Sequence, residues 1–108
     1  MVLKKRHKEL LLQLAEKHLS PDIRLIVYGS RADGTAHDAS DLDLALRRID
    51  DQVVEASQFS RFLEAVQDST IPFPVEIFDW ALLPPSFHEA IDDHGITITM
   101  DALKINER

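Results

Sequence analysis

Apolar positions change their period several times along the chain, and each change predicts an element. Residues 3–19 are rich in Leu, Lys and Glu, hold no Gly or Pro, and place Leu10, Leu11, Leu14, Ala15 and His18 at helical spacing, so an amphipathic helix is expected there. Ser20-Pro21-Asp22 turns the chain into Ile23–Tyr28, a short β-branched and aromatic run that reads as a buried strand ending at Gly29. A helical turn over Ser30 to Asp33 follows. From Asp41 to Leu46 the period falls to two, which puts Leu42, Leu44 and Leu46 on one face of a strand and Asp41 and Asp43 on the other.

Asp50 and Asp51 are N-cap candidates for a second long helix over 52–68, whose apolar stripe is Phe59, Phe62, Leu63 and Val66. Two prolines make 70–74 an entry segment. Residues 75–80 then read as a third strand, with Val75 and Ile77 inward and Glu76 on the opposite face. Pro84-Pro85-Ser86 opens a further helix in which Ser86 and Glu89 are spaced as a capping box and Phe87, Ala90 and Ile91 form the buried edge. His94 sits in its last turn and Gly95 closes it. Residues 96–100 form a short last strand and 101–108 a polar tail. The fold expected is α/β (α+β): a small mixed sheet with helices on one face and the carboxylates on the other, in a single domain over 1–108.

Composition narrows the function. With 44% apolar and 29% charged residues the chain is an ordinary globular protein, and with no cysteine it has neither disulfides nor a thiolate zinc site. No apolar run is long enough to cross a membrane and no signal peptide is visible, so the expected location is cytoplasmic. A net charge of −7 argues against a broad nucleic-acid face, which would need Lys and Arg against phosphates. Lys4, Lys5, Arg6 and Lys8 form a local basic cluster that reads either as a solvated helix end or as a contact for a partner or a phosphate.

The chemistry lies between the first two strands. Gly29, lacking a Cβ, lets a phosphate approach the backbone, and Ser30 adds a hydroxyl and an amide at the head of a helical turn. Ten residues on, Asp41 and Asp43 share a strand face, where two carboxylates about 4 Å apart at an effective dielectric of ~20 repel by roughly 4 kcal/mol. A divalent cation would reverse that cost, and carboxylate oxygens together with phosphates suit Mg²⁺ or Mn²⁺. Phosphate grip and metal grip together imply a nucleoside triphosphate carrying magnesium. Neither G-x-x-x-x-G-K-[ST] nor G-x-G-x-x-G occurs, so no other nucleotide motif competes. His7, His18, His88 and His94 lack metal-ligand spacing and read as structural.

Gly29-Ser30, ten residues and then Asp41-Leu42-Asp43 resembles the signature of the nucleotidyltransferase superfamily that includes DNA polymerase β, and within it the minimal nucleotidyltransferase (MNT) domains. The resemblance covers nearly the whole chain and implies transfer of a nucleoside monophosphate from ATP to a hydroxyl. It implies two metal ions, one held by Asp41 and Asp43 and one shared with a third carboxylate on the next strand. Glu76 occupies that third position where the family usually has aspartate, and Asp79 competes for it. The resemblance further implies that Gly29 and Ser30 orient the phosphates. Arg31 is either a stabiliser of leaving-group charge or a surface arginine, and His37 and Asp38 lie in the loop over the site. Stand-alone MNT proteins resemble antitoxins paired with an all-helical HEPN toxin, in a hetero-oligomer where the acceptor is a partner tyrosine. A two-subunit small-molecule nucleotidyltransferase and a silent partner-binding module are the alternatives.

Overall fold

The structure, a computed structural model, describes residues 3–37 and 40–98. The elements are α1 Lys5–His18, β1 Ile23–Tyr28, α2 Ser30–Asp33, β2 Leu42–Arg48, α3 Ala56–Gln67, β3 Val75–Asp79, a 3₁₀ turn at Trp80–Leu82, α4 Pro85–His94 and β4 Ile96–Ile98. The strands form one mixed sheet in the order β3-β2-β1-β4. β1 runs antiparallel to β2 and β4, while β2 and β3 are parallel and are joined through α3. This is the expected α/β class. Asp38, the residues beyond Ile98 in the last strand, and the tail at 101–108 lie outside the described residues.

Period-two alternation divides the sheet into two faces. Leu25, Val27, Leu42, Leu44, Leu46 and Ile77 point to one face and pack against Leu11 and Leu12 of α1 and Phe62 and Val66 of α3, making the main core. Ile26, Tyr28 and Ala45 point to the other face, where α4 adds a smaller cluster through Ile91. The helical layer of the sequence reading is thus α1 and α3, while α4 packs on the carboxylate side of the sheet. His88 of α4 stacks on Trp80 (ring centroids 3.8 Å apart, planes at 9°) and its Nε2 lies 2.7 Å from the Trp80 carbonyl oxygen, the structural role expected of it.

Three local expectations are corrected. The second long helix starts at Ala56, not 52, because Asp50 and Asp51 are engaged elsewhere: Arg48 donates to Asp50 at 2.8 Å and Arg47 to Asp51 at 2.6 Å. Those aspartates therefore close a loop and do not cap a helix. The capping box at Ser86 and Glu89 is absent, since α4 begins one residue earlier at Pro85 behind Pro84 and makes no side-chain cap bond. Gly95 does close α4, but in an extended conformation, and what demands glycine there is room: a Cβ would lie 2.4 Å from the Ile91 carbonyl oxygen and 2.9 Å from Ile26 Cγ2.

Candidate active site

Strand register brings the predicted carboxylates together. Tyr28 pairs with Asp43 across β1 and β2, and Asp43 pairs with Glu76 across β2 and β3. The three side chains form a lateral row on one face, because residues directly opposite in a sheet project the same way. Asp41 lies one residue before β2, two positions from Asp43, and is exposed. Gly29, at the end of β1, closes on the same row: a Cβ on Gly29 would lie 2.4 Å from Asp43 Oδ2, and its φ of +72° is a conformation that L side chains rarely adopt. The turn at Gly29 and the Asp43 carboxylate are therefore in close contact through the backbone of Gly29.

The row is electrostatically loaded. Burial pushes the Asp43 carboxyl up to about 6, helped by a hydrogen bond with Glu76 and by the charges of Glu76 and Asp41. Burial also raises the Tyr28 phenol to about 12, with Asp43 and Glu76 adding to the shift. Two carboxyls on directly paired strand positions beside a third acid are a donor set for a hard divalent cation, which would offset their mutual repulsion. Among the described residues no group of three or more His, Asp or Glu side chains is already gathered as a metal cage. The set fits the ion by its chemistry and by the strain that the ion would relieve.

Asp79 has other work. It is 7% exposed, accepts from the Val54 amide at 2.8 Å through Oδ2 and from the Ala81 amide at 3.1 Å through Oδ1. Both oxygens are used in holding the 49–55 loop and the 3₁₀ turn to the sheet, and Ile77, its neighbour on that face, belongs to the main core. Glu76 is exposed on the row with Asp43.

Arg31 is not a surface residue. Its side chain is 2% exposed, lies over the Phe73 ring with Cζ 4.0 Å from the centroid, and donates to the Ser40 carbonyl oxygen from Nε at 3.0 Å and Nη2 at 2.6 Å. It thereby pins the residue that precedes Asp41. His37 is exposed, its amide donating to Ser40 Oγ at 3.0 Å. The sequence reading missed Tyr28 as part of the row and the Arg31–Ser40 clamp. The first was legible in the pairing of two strands around Gly29; the second joins a helical turn to a loop and leaves no periodic signal.

Comparison with known proteins gives the same picture. The family model described as Polymerase beta, Nucleotidyltransferase matches residues 9–102. The Haemophilus influenzae protein named Probable protein adenylyltransferase MntA is 36% identical over 75 residues, a stretch that is 69% of this chain and 64% of that protein. The match thus spans less than two-thirds of the relative's length. Among solved structures, a toxin–antitoxin with AMP-PNP is similar at a TM-score of 0.61 and 17% identity, over 91% of this chain and 78% of that one. A mutant of the toxin–antitoxin MntA-HpeT is similar at 0.65 and 16%, over 91% and 77%. At such identity these structures speak for the fold alone. A family match over residues 9–102, nearly the whole chain, makes this chain a member of the polymerase β nucleotidyltransferase family.

Proposed function

We propose that the chain transfers AMP from ATP to a hydroxyl group, and that the acceptor is a tyrosine on an all-helical HEPN-type partner that it neutralises as an antitoxin. The observation that carries the reading is the contact of Gly29 with the Asp43–Glu76 pair, which sets a phosphate grip against a metal-fitting carboxylate pair. The likeness to MntA supports the choice of AMP and of a protein acceptor.

Gly29 and Ser30 hold the β- and γ-phosphates and so fix the α-phosphorus in line with the acceptor, the positioning on which phosphoryl chemistry chiefly depends. Asp41, Asp43 and Glu76 would hold Mg²⁺, as two ions, with Mn²⁺ as a substitute, and the metal would supply charge neutralisation at the phosphates and a lowered pKa for the acceptor hydroxyl. Glu76, exposed at the outer end of the row, takes the proton from the acceptor oxygen. The bond from that oxygen to the α-phosphorus forms, the bond from the α-phosphorus to the bridging oxygen breaks, and pyrophosphate leaves. Arg31 acts one step back, holding Ser40 and through it Asp41.

The test is the intact mass of the protein encoded by the adjacent gene after incubation with this chain, ATP and Mg²⁺. The expected outcome is a gain of one or more AMP units on a tyrosine, abolished by Asp41→Ala with Asp43→Ala. A stable complex without mass gain, in the presence of ATP and Mg²⁺, overturns the transfer to protein.

A further inference from the structure

A groove of about 370 Å³ lies against β3, an edge strand of the sheet, between the first turns of α3 and the 3₁₀ turn. Val53, Phe59, Ile77, Phe78 and Leu82 line it, and because Ile77 and Phe78 belong to opposite faces of the sheet, the groove wraps the edge of the strand. Among the described residues that line it Asp79 alone is ionisable, and both its carboxylate oxygens already accept from the Val54 and Ala81 amides. What the groove offers an occupant is apolar contact. Three of its side chains are held out to solvent, Val53 at 50%, Phe78 at 40% and Leu82 at 71% exposed. Singly such residues are ordinary on a protein surface, but gathered around one concavity they mark a face that another molecule covers.

Its place beside the carboxylates identifies that molecule. Phe78 follows Glu76 by two residues and projects from the same face, in the row next to it, where Ala45 pairs with Phe78 as Asp43 pairs with Glu76. Gly29 beyond β1 and Glu76 on β3 stand at opposite ends of the carboxylate row. With pyrophosphate leaving on the Gly29 side, an in-line displacement brings the acceptor oxygen from the other side, over Glu76. A molecule that presents its hydroxyl there rests on the edge of β3 and on Phe78. The rim also carries a charge. The two stretches that line the groove, 53–60 and 75–83, hold Glu55, Glu76 and Asp79 and no Lys or Arg. Arg47 and Arg48 engage Asp51 and Asp50 of the preceding loop, whereas Glu55 and Glu76 form no ion pair among the described residues. An apolar floor between two such carboxylates is complementary to an apolar stripe flanked by basic side chains.

We propose that this groove is the docking site of the acceptor protein, which lays an amphipathic segment against β3 with apolar side chains on Phe78 and Leu82 and Lys or Arg toward Glu55 and Glu76. The proposal rests on transfer to a protein hydroxyl and adds the surface that selects the protein. The apolar contacts supply most of the affinity, and the two carboxylates set the register in which the acceptor hydroxyl reaches Glu76.

The experiment takes the full chain and the protein encoded by the adjacent gene, and measures their association by calorimetry separately from AMP transfer by intact mass. Phe78→Glu with Leu82→Glu should weaken association by about tenfold or more, as loss of central apolar contacts does, and should raise the KM for the protein acceptor at unchanged kcat. Leu82→Glu alone, at the more exposed position, should act in the same direction with the melting temperature and Mg²⁺–AMP-PNP affinity of the natural chain. Glu55→Lys should also weaken association and flatten its dependence on salt, which a loss of packing would not do. Association and KM unchanged in the double variant, with AMP still transferred, overturn the docking site and leave the transfer standing. A complex that the variants weaken but that gains no AMP in the natural chain supports the surface and overturns the transfer. A natural chain that dimerises and turns monomeric on Leu82→Glu assigns the face to a second copy and overturns the proposal, as does the absence of any complex with the natural chain.

Discussion

Asp43 carries its charge against the interest of the fold, because burial, Glu76 and Asp41 together raise its carboxyl to about 6. A carboxyl whose folded pKa is raised binds more protons in the folded than in the unfolded state between about pH 4 and 6, so stability falls as pH rises through that window and stays lower above it. In metal-free buffer Asp43→Asn should therefore be more stable than the natural chain at neutral pH by about 1–2 kcal/mol, allowing for solvent screening of a partly exposed group. Urea unfolding across pH checks it: the gain should vanish below about pH 4, where both forms are neutral. An equal midpoint at neutral pH would show that the carboxylate is unstrained. Gly29 belongs to the same economy, since only a residue without Cβ leaves room for Asp43 Oδ2. Both residues were legible in the sequence, one from its period and one from its place at a strand end. The burial of Arg31 was not, because it rests on Phe73, 42 positions away along the chain.

Elements came through where their own period fixed them and failed where a side chain outside the element decided. The leucines of β2 alternate, so the face of Asp41 and Asp43 followed without tertiary knowledge. The start of α3 did not follow, because Asp50 and Asp51 look like caps until Arg47 and Arg48 of the preceding strand engage them. The β3 strand shows both cases: Glu76 was placed by alternation, whereas the task of Asp79 became visible only with the Val54 amide in view. That task makes a prediction for the loop between β2 and α3. Asp79→Ala strands the Val54 and Ala81 amides, and a buried donor left unmade costs about 1–3 kcal/mol. The unfolding free energy from urea should fall by that amount at unchanged slope, while Mg²⁺–AMP-PNP affinity stays within about twofold, roughly 0.4 kcal/mol. A large loss of nucleotide affinity at unchanged stability would instead make Asp79 the third ligand.

At the scale of the whole molecule the candidate site is a joint between three strands. Gly29 ends β1, Asp43 lies on β2 and Glu76 on β3, so a ligand that spans them ties together most of the sheet. Global unfolding must then release it, and ligand binding adds to stability by mass action. Mg²⁺ and AMP-PNP at about a hundredfold excess over their dissociation constant should stabilise the chain by about 2–3 kcal/mol, which for a domain of this size raises the melting temperature by roughly 10 °C. The two ligands should act together: carboxylates that repel one another hold a cation better once phosphates complete its shell, and the phosphates are held better with the cation in place. The combined shift should therefore exceed the sum of the separate ones in calorimetry or a thermal melt. Asp41→Asn with Asp43→Asn should abolish the combined shift while raising the melting temperature of the free chain, because the same substitutions remove the repulsion at Asp43. A double variant that still responds fully to the pair of ligands would place the nucleotide elsewhere on the molecule.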